Sequence, residues 1–170
     1  MEEEKMLLNA TLCFLVKDNK VLLGFKTEKI GKDCWNGYGG GINDGETPKQ
    51  AALRELKEEA DIVTLPESLE KAAVVDFHNT KSDGSTFVCR VHVYLVSQWT
   101  GNPRVSDEMI NPTWFSIERL PLDKMMPADR DWLPVVLSGK KIIATTKLGP
   151  FQKTLLGPVK LQQVDSFPDD

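Results

Sequence analysis

Residues 40–62 of this chain read GGINDGETPKQAALRELKEEADI, a glycine-rich loop that leads into a well-marked helix. Thr47 can cap the helix, Pro48 suits its first turn, and Gln50 completes a Thr-x-x-Gln capping box. The pattern therefore predicts a helix over residues 47–60, with a start that is specified by its own sequence.

The predicted helix has an apolar face and an acidic face. The apolar residues recur at the 3.6-residue spacing of a core-facing stripe: Ala52, Leu53, Leu56 and Ala60. Beside them lie three carboxylates at i, i+3 and i+4, those of Glu55, Glu58 and Glu59. Such neighbours repel by about 0.2–0.5 kcal/mol per pair on an exposed helix, and a bound cation turns that repulsion into attraction.

A metal-binding explanation of this acidic face competes with a simpler one. A glutamate cluster on a helix is most often only a solvated surface. The glycine-rich loop directly before the helix favours the metal, because its backbone groups can approach an ion or a phosphate closely. Carboxylate oxygens are also the ligands that Mg²⁺ and Mn²⁺ prefer. Arg54 is placed to hold Glu46 or a carboxylate of the cluster.

The rest of the sequence alternates strand-like runs with turns. Residues 7–16 and 21–25 predict a hairpin, residues 27–45 read as irregular, and Asp129 to Leu137 predict a second helix. Further strands are predicted over residues 74–77, 86–96, 113–117, 142–145 and 159–164. The run 86–96 carries apolar groups on both faces, which is typical of a central strand. These elements predict an α/β fold with a mixed sheet that is covered by helices.

Composition excludes several classes of function. The 170 residues are 41% hydrophobic and 27% charged, as expected of one globular domain over residues 1–170. The net charge of −4 lacks the basic excess of a non-specific nucleic-acid binder. No apolar run approaches the ~18 residues of a membrane span, and acids precede the first apolar run, unlike a secretory signal. We expect a cytoplasmic protein without a nucleic-acid or membrane partner.

Residues 40–62 resemble the signature of the Nudix hydrolases, Gly-x5-Glu-x7-Arg-Glu-apolar-x-Glu-Glu-x-Gly-apolar. Eight of its nine defined positions match: Gly40, Glu46, Arg54, Glu55, Leu56, Glu58, Glu59 and Ile62. The exception is Asp61, where the family has glycine. That position is expected to be the left-handed residue that closes the helix, a conformation that Asp tolerates better than most residues.

The resemblance implies a Nudix α/β/α sandwich in which this helix is catalytic, with Mg²⁺ as cofactor and Mn²⁺ as an alternative. It places metal ligands at the Gly40 carbonyl, Glu55, Glu58, Glu59 and Glu108. Glu108 lies on a separate loop and would act as ligand or base, with an ordinary acidic loop residue as the alternative. Glu58 or Glu59 would position the attacking water, and which of the two acts as base stays open. Arg54 is expected to orient the carboxylates.

A looser resemblance extends over most of the chain, to the MutT-like subgroup that hydrolyses oxidised purine nucleoside triphosphates. It is carried by Trp35 to Gly40, Ser106 to Met109 and Trp114-Phe115. By this resemblance Asn36 and Asp129 contact the purine edge, and Thr11 and Lys26 line the same pocket. Asn36 as a turn residue and Asp129 as a simple helix start are the alternatives. The chain departs from the subgroup at Gly41, Met126 and Ala128.

The function implied is Mg²⁺-dependent hydrolysis of a nucleoside triphosphate, with an oxidised or otherwise modified purine, to the monophosphate and pyrophosphate. Such an enzyme cleanses the nucleotide pool, takes a small-molecule nucleotide and is expected to be a monomer or weak dimer. Hydrolysis of another nucleoside diphosphate derivative, a sugar or ribose conjugate, is one alternative. The other is a non-catalytic nucleotide-binding regulator, which we would expect to have lost acids from the helix.

Overall fold

The computed structural model describes residues 6–168 of the chain. Its strands and helices are β1 Asn9–Lys17, β2 Lys20–Lys26, β3 Trp35–Asn36, β4 Tyr38–Gly41, α1 Pro48–Ala60, β5 Leu69–Thr80, β6 Thr86–Val96, β7 Met109–Ser116, α2 Asp129–Leu137, β8 Lys141–Leu148 and β9 Lys160–Val164. Within these residues, neither helix is long and apolar enough to cross a membrane.

The strands form a mixed sheet. Its order is β3-β2-β1-β6-β5-β8-β9, with β4 paired to β1 and β7 paired to β2. The pairs β1–β6 and β5–β8 are parallel, and the other pairs are antiparallel. The predicted mixed sheet is confirmed, and β6 lies between β1 and β5, as its apolar faces predicted.

Two apolar clusters pack the two helices against the sheet. Trp132, Leu133 and Val136 of α2 pack in a cluster that includes inward residues of β1, β2, β5, β6 and β8. Ala52, Leu56 and Ala60 of α1 pack in a second cluster with other residues of β1, β2 and β6. The alternation of side chains along β1 supplies both clusters, so the predicted α/β/α layering is confirmed.

Both ends of α1 follow the local sequence. The Gln50 backbone N–H donates to Thr47 Oγ1 at 3.2 Å, and the Thr47 N–H donates to Gln50 Oε1 at 3.0 Å. These two bonds form the predicted capping box. At the other end Asp61 has φ 56° and ψ 35°, the left-handed conformation expected there, and its N–H donates to the carbonyls of Leu56 and Lys57.

The prediction of an irregular stretch over residues 27–45 is wrong for part of its length. Residues 38–41 form β4, which pairs with residues 10–13 of β1. Glycine allows this approach, because a Cβ on Gly39 would lie 1.9 Å from the Thr11 carbonyl oxygen and one on Gly37 would lie 2.6 Å from that of Cys13. The pairing holds the loop before α1 against the sheet, next to the acidic face of the helix.

Candidate active site

Helix α1 and strand β4 bring Glu55 against the backbone of Gly40. A Cβ on Gly40 would lie 2.6 Å from Glu55 Oε1, so a larger residue here would push this carboxylate out of its present position. Glu59, half-buried on the same helix, lies close enough to Glu55 for their carboxyl groups to interact. Burial, then the Glu55 and Glu108 carboxylates, hold the pKa of Glu59 well above its ordinary value. We call Glu55, Glu58, Glu59 and Glu108 the acidic cluster.

Arg54 links this cluster to the loop before the helix. Its Nε and Nη2 donate to the two carboxylate oxygens of Glu46 at 2.8 and 2.9 Å. Nη1 donates to Glu55 at 2.8 Å and to Glu58 at 3.3 Å, while Nη2 also donates to the Gly41 carbonyl at 2.9 Å. The Glu46 carboxylate in turn accepts from the Asn43 N–H, so the guanidinium holds helix and loop together.

Protein cations occupy part of the cluster. Among residues 6–168, no three acidic, histidine or cysteine side chains are arranged as a ready-made metal site. Arg54 holds Glu55 and Glu58, and Lys29 Nζ donates to Glu108 Oε1 at 2.5 Å. Burial is the largest cause of the raised pKa of Glu59, and the neighbouring Glu55 and Glu108 carboxylates add negative charge beside it. A donor set made only of oxygens beside such charge fits a hard divalent ion.

Residues 27–34, which we call the lysine loop, connect the acidic cluster to α2. At one end Lys29 pairs with Glu108. At the other end burial raises the pKa of the Cys34 thiol, and the nearby Asp129 carboxylate adds to that shift. Between them, a Cβ on Gly31 would lie 3.1 Å from Lys26 Cδ and 3.6 Å from Met126 Sδ. Lys26 therefore lies between the cluster and the start of α2.

Asp129 is a buried carboxyl group in the first turn of α2. Its side chain is 4% exposed, and Oδ1 accepts a hydrogen bond from Trp132 Nε1 at 3.0 Å. Burial raises the pKa of Asp129 to about 7, and the indole N–H opposes that shift. Its backbone begins the helix, but its carboxyl group bonds Trp132 and does not cap. It can therefore offer either an acceptor or a donor near neutral pH.

Asn36 and Thr11 are placed less clearly for base recognition. Asn36 Oδ1 accepts from the Gly37 N–H at 2.8 Å, which is the turn interaction that was its alternative explanation. Thr11 is 2% exposed, and its Oγ1 is buried without a hydrogen-bond partner in the described part of the chain. Strand alternation places Thr11 on the α1 side, whereas Asp129 belongs to the α2 layer. The structure does not gather these residues into one contact set.

The sequence profile of the NUDIX domain matches residues 6–136. The chain belongs to the Nudix family. It is similar to the oxidized purine nucleoside triphosphate hydrolase of Danio rerio, with 36% identity over 137 residues, 81% of this chain and 84% of that protein. The enzyme of the same name from Mus musculus is 34% identical over 157 residues, 92% of this chain and 96% of that one.

Solved structures agree on the fold of this Nudix chain. The crystal structure of a MutT protein from Bacillus halodurans superposes with a TM-score of 0.71, covering 91% of this chain and 97% of that one. Its sequence identity is 21%, so this likeness concerns the fold alone. Nudix hydrolases generally require a divalent metal, which agrees with the all-oxygen donor set of the acidic cluster.

Sequence reasoning missed three groups that shape the site. Lys29 bonds Glu108 across 79 positions of sequence, and the Gly41 carbonyl accepts from Arg54 across 13. Neither contact has a local sequence signal. The bond from Trp132 to Asp129 does have one, because residues at i and i+3 share a helix face.

Proposed function

We propose that this protein hydrolyses nucleoside triphosphates that carry an oxidised purine, releasing the monophosphate and pyrophosphate. The observation that carries the proposal is the acidic cluster, with Glu55 seated on Gly40 and held by Arg54. Relatives named oxidized purine nucleoside triphosphate hydrolases match most of the chain and supply the substrate class. A non-catalytic regulator is disfavoured because all three helix glutamates are present.

The cofactor in this proposal is Mg²⁺, held by the Gly40 carbonyl and by the four carboxylates of the acidic cluster. When bound, such an ion neutralises polyphosphate charge and makes a coordinated water more acidic. The chain's own residues do the rest. A carboxylate oxygen of Glu58 or Glu59 that the ion would leave uncoordinated positions the attacking water and accepts its proton, and Arg54 fixes the direction of the carboxylates. Water adds across the bond between the α- and β-phosphates, so that pyrophosphate leaves.

We place the nucleotide along the lysine loop, with its phosphates at the acidic cluster and its base toward Asp129. Lys26 lies between the two. Burial lowers the pKa of its ammonium group, and the carboxylates of Glu108 and Glu59 oppose that shift. In the structure its ammonium group donates to the Ile30 carbonyl at 2.6 Å, and its contact with the nucleotide stays a prediction. Asn36 and Thr11 stay predictions as nucleotide contacts. The single domain, the cytoplasmic location and the monomeric or weakly dimeric state also stay predictions from the sequence.

A substrate panel tests this proposal directly. The purified chain is incubated with oxidised and ordinary purine triphosphates, pyrimidine triphosphates and nucleoside diphosphate conjugates of sugar or ribose, with and without Mg²⁺. Pyrophosphate and phosphate are detected separately. We expect pyrophosphate from triphosphates only, fastest with an oxidised purine, and no product when a chelator is present. Preferential cleavage of a conjugate would establish the alternative enzyme, and no product from any compound would reject hydrolysis.

Replacing Asp129 with asparagine tests recognition of the base. Asn keeps the acceptor for Trp132 Nε1 but does not titrate, so the fold should survive. One changed hydrogen bond to the purine edge is worth about tenfold in selectivity, measured as the ratio of kcat/KM between 8-oxo-dGTP and dGTP. In wild type this ratio should change as pH passes about 7, where Asp129 gains its charge, and in Asp129→Asn it should stay flat.

The matched control is Asp131→Asn, an exposed acid in the same turn of α2. Its selectivity and its pH profile should equal those of wild type. If Asp129→Asn ranks the purine triphosphates as wild type does, Asp129 does not contact the base.

A further inference from the structure

Lys29 contacts the acidic cluster at a carboxylate that Arg54 does not hold. Its Nζ lies 2.5 Å from Glu108 Oε1, and the two side chains are 45% and 38% exposed. The charge of Glu108 in turn acts on Glu59, so this ion pair lies beside the half-buried part of the cluster. An exposed ion pair contributes little to folding stability, so we expect its larger effect on ligand binding.

Hydrogen bonds other than this ion pair also hold the lysine loop. The Thr27 N–H donates to the Glu108 carbonyl at 3.0 Å, and Thr27 Oγ1 donates to the Asp107 carbonyl at 2.6 Å. Lys26 Nζ donates to the Ile30 carbonyl at 2.6 Å, and the Lys32 N–H donates to the Lys29 carbonyl at 3.2 Å. The Lys29 ammonium group can therefore change partner while the backbone around it remains fixed.

A divalent ion bound at Glu108 would compete with the Lys29 ammonium group for this carboxylate. A cation coordinated by the Glu108 carboxylate would share its oxygens with the ammonium group and repel it. The displaced group would stay tethered at the rim of the cluster, where the proposed function brings the phosphates of the substrate. A lysine ammonium on a flexible stem suits such an exchange better than the rigid fork of Arg54 does.

We propose that Lys29 is a phosphate-exchange residue, which neutralises Glu108 while the metal is absent and moves to a substrate phosphate when the metal binds. This inference rests on the proposed function and adds a residue to it. The exchange couples the two ligands, because metal binding frees the group that the nucleotide then uses. Removing the ammonium group should therefore strengthen binding of metal alone and weaken binding of the nucleotide.

The first test is calorimetric titration of Mn²⁺ into the nucleotide-free protein. Lys29→Gln should bind the ion about threefold more tightly than wild type, the size of one exposed ion pair. Lys32→Gln, an exposed lysine of the same loop, is the matched control and should bind like wild type. Equal metal affinity in wild type and Lys29→Gln would overturn the exchange.

The second test separates KM from kcat. Lys29→Gln should raise the KM for the triphosphate about tenfold, the value of one charge-assisted bond, with kcat nearly unchanged. In Lys29→Arg, which keeps the positive charge, the KM should return most of the way to the wild-type value. A fall in kcat at constant KM would instead mean that Lys29 only positions Glu108, and would also overturn the proposal.

The two arms distinguish this inference from the proposed function. If wild type cleaves no nucleotide, the proposed function fails and the phosphate half of the exchange fails with it. The titration still reports on competition at Glu108, since it needs no substrate. If wild type is active but Lys29→Gln matches it in both arms, the exchange alone is rejected.

Discussion

The Glu59→Gln variant is expected to turn over its nucleotide about 10³-fold more slowly than wild type at saturating Mg²⁺. The amide keeps the shape of the side chain but removes the negative charge that the proposed metal and the attacking water require. Glu59 is the half-buried member of the acidic cluster, and other carboxylates already act on it, so a neighbouring group cannot easily replace its charge. Initial rates of pyrophosphate release give the measurement.

The same substitution should stabilise the protein when the metal is removed. The fold raises the pKa of Glu59 above its ordinary value of 4.5, so the folded state disfavours a charge that the unfolded chain carries readily. That destabilisation is absent below the ordinary pKa, grows as pH rises and is complete above the raised pKa. In chelator, Glu59→Gln should therefore melt above wild type near about pH 9, and the difference should shrink toward about pH 5.

This opposite response of rate and stability separates a functional charge from a structural one. Glu67→Gln, an exposed acid in the turn before β5, is the matched control and should change neither rate nor melting temperature. Full activity of Glu59→Gln with Mg²⁺ present would show that the ligands have been placed wrongly.

The parts of the site that follow from neighbouring residues were predictable. The capping box of Thr47 and Gln50, the left-handed Asp61 and the shared face of Glu55 and Glu59 all depend on contacts within a few positions. Helical periodicity and capping chemistry are therefore sufficient to derive α1 and its acidic side. The mixed sheet followed from the same kind of reasoning, because apolar runs and turns repeat along the chain.

The parts that depend on distant residues were not predictable. β4 forms because Gly39 can approach the Thr11 carbonyl of β1, and no local pattern marks those glycines as a strand. The pairing of Lys29 with Glu108 depends on the packing of the lysine loop beside β7. Sequence reasoning therefore identified the carboxylates but not Lys29 as the cation beside Glu108. The contact between these two residues depends on the register of β2 with β7.

Arg54 offers the second test with a large expected effect. Its fork makes bonds of 2.8 and 2.9 Å to Glu46 and of 2.8 Å to Glu55, with a further bond to the Gly41 carbonyl. Lysine keeps the charge but makes a single-point contact, so it cannot satisfy these acceptors together. We expect Arg54→Lys to lower kcat about 100-fold and the melting temperature by roughly 5 °C.

The matched control for Arg54→Lys is Arg90→Lys, which breaks another two-point pair. Arg90 donates from Nε and Nη2 to Asp76 at 2.9 and 3.1 Å, on strands β6 and β5 and without contact to the acidic cluster. It should lose little stability and no activity, because that pair is more exposed. If Arg54→Lys keeps wild-type kcat, the guanidinium fork does not orient the cluster. If both variants lose activity equally, the loss is general destabilisation, and Arg54 has no special part in catalysis.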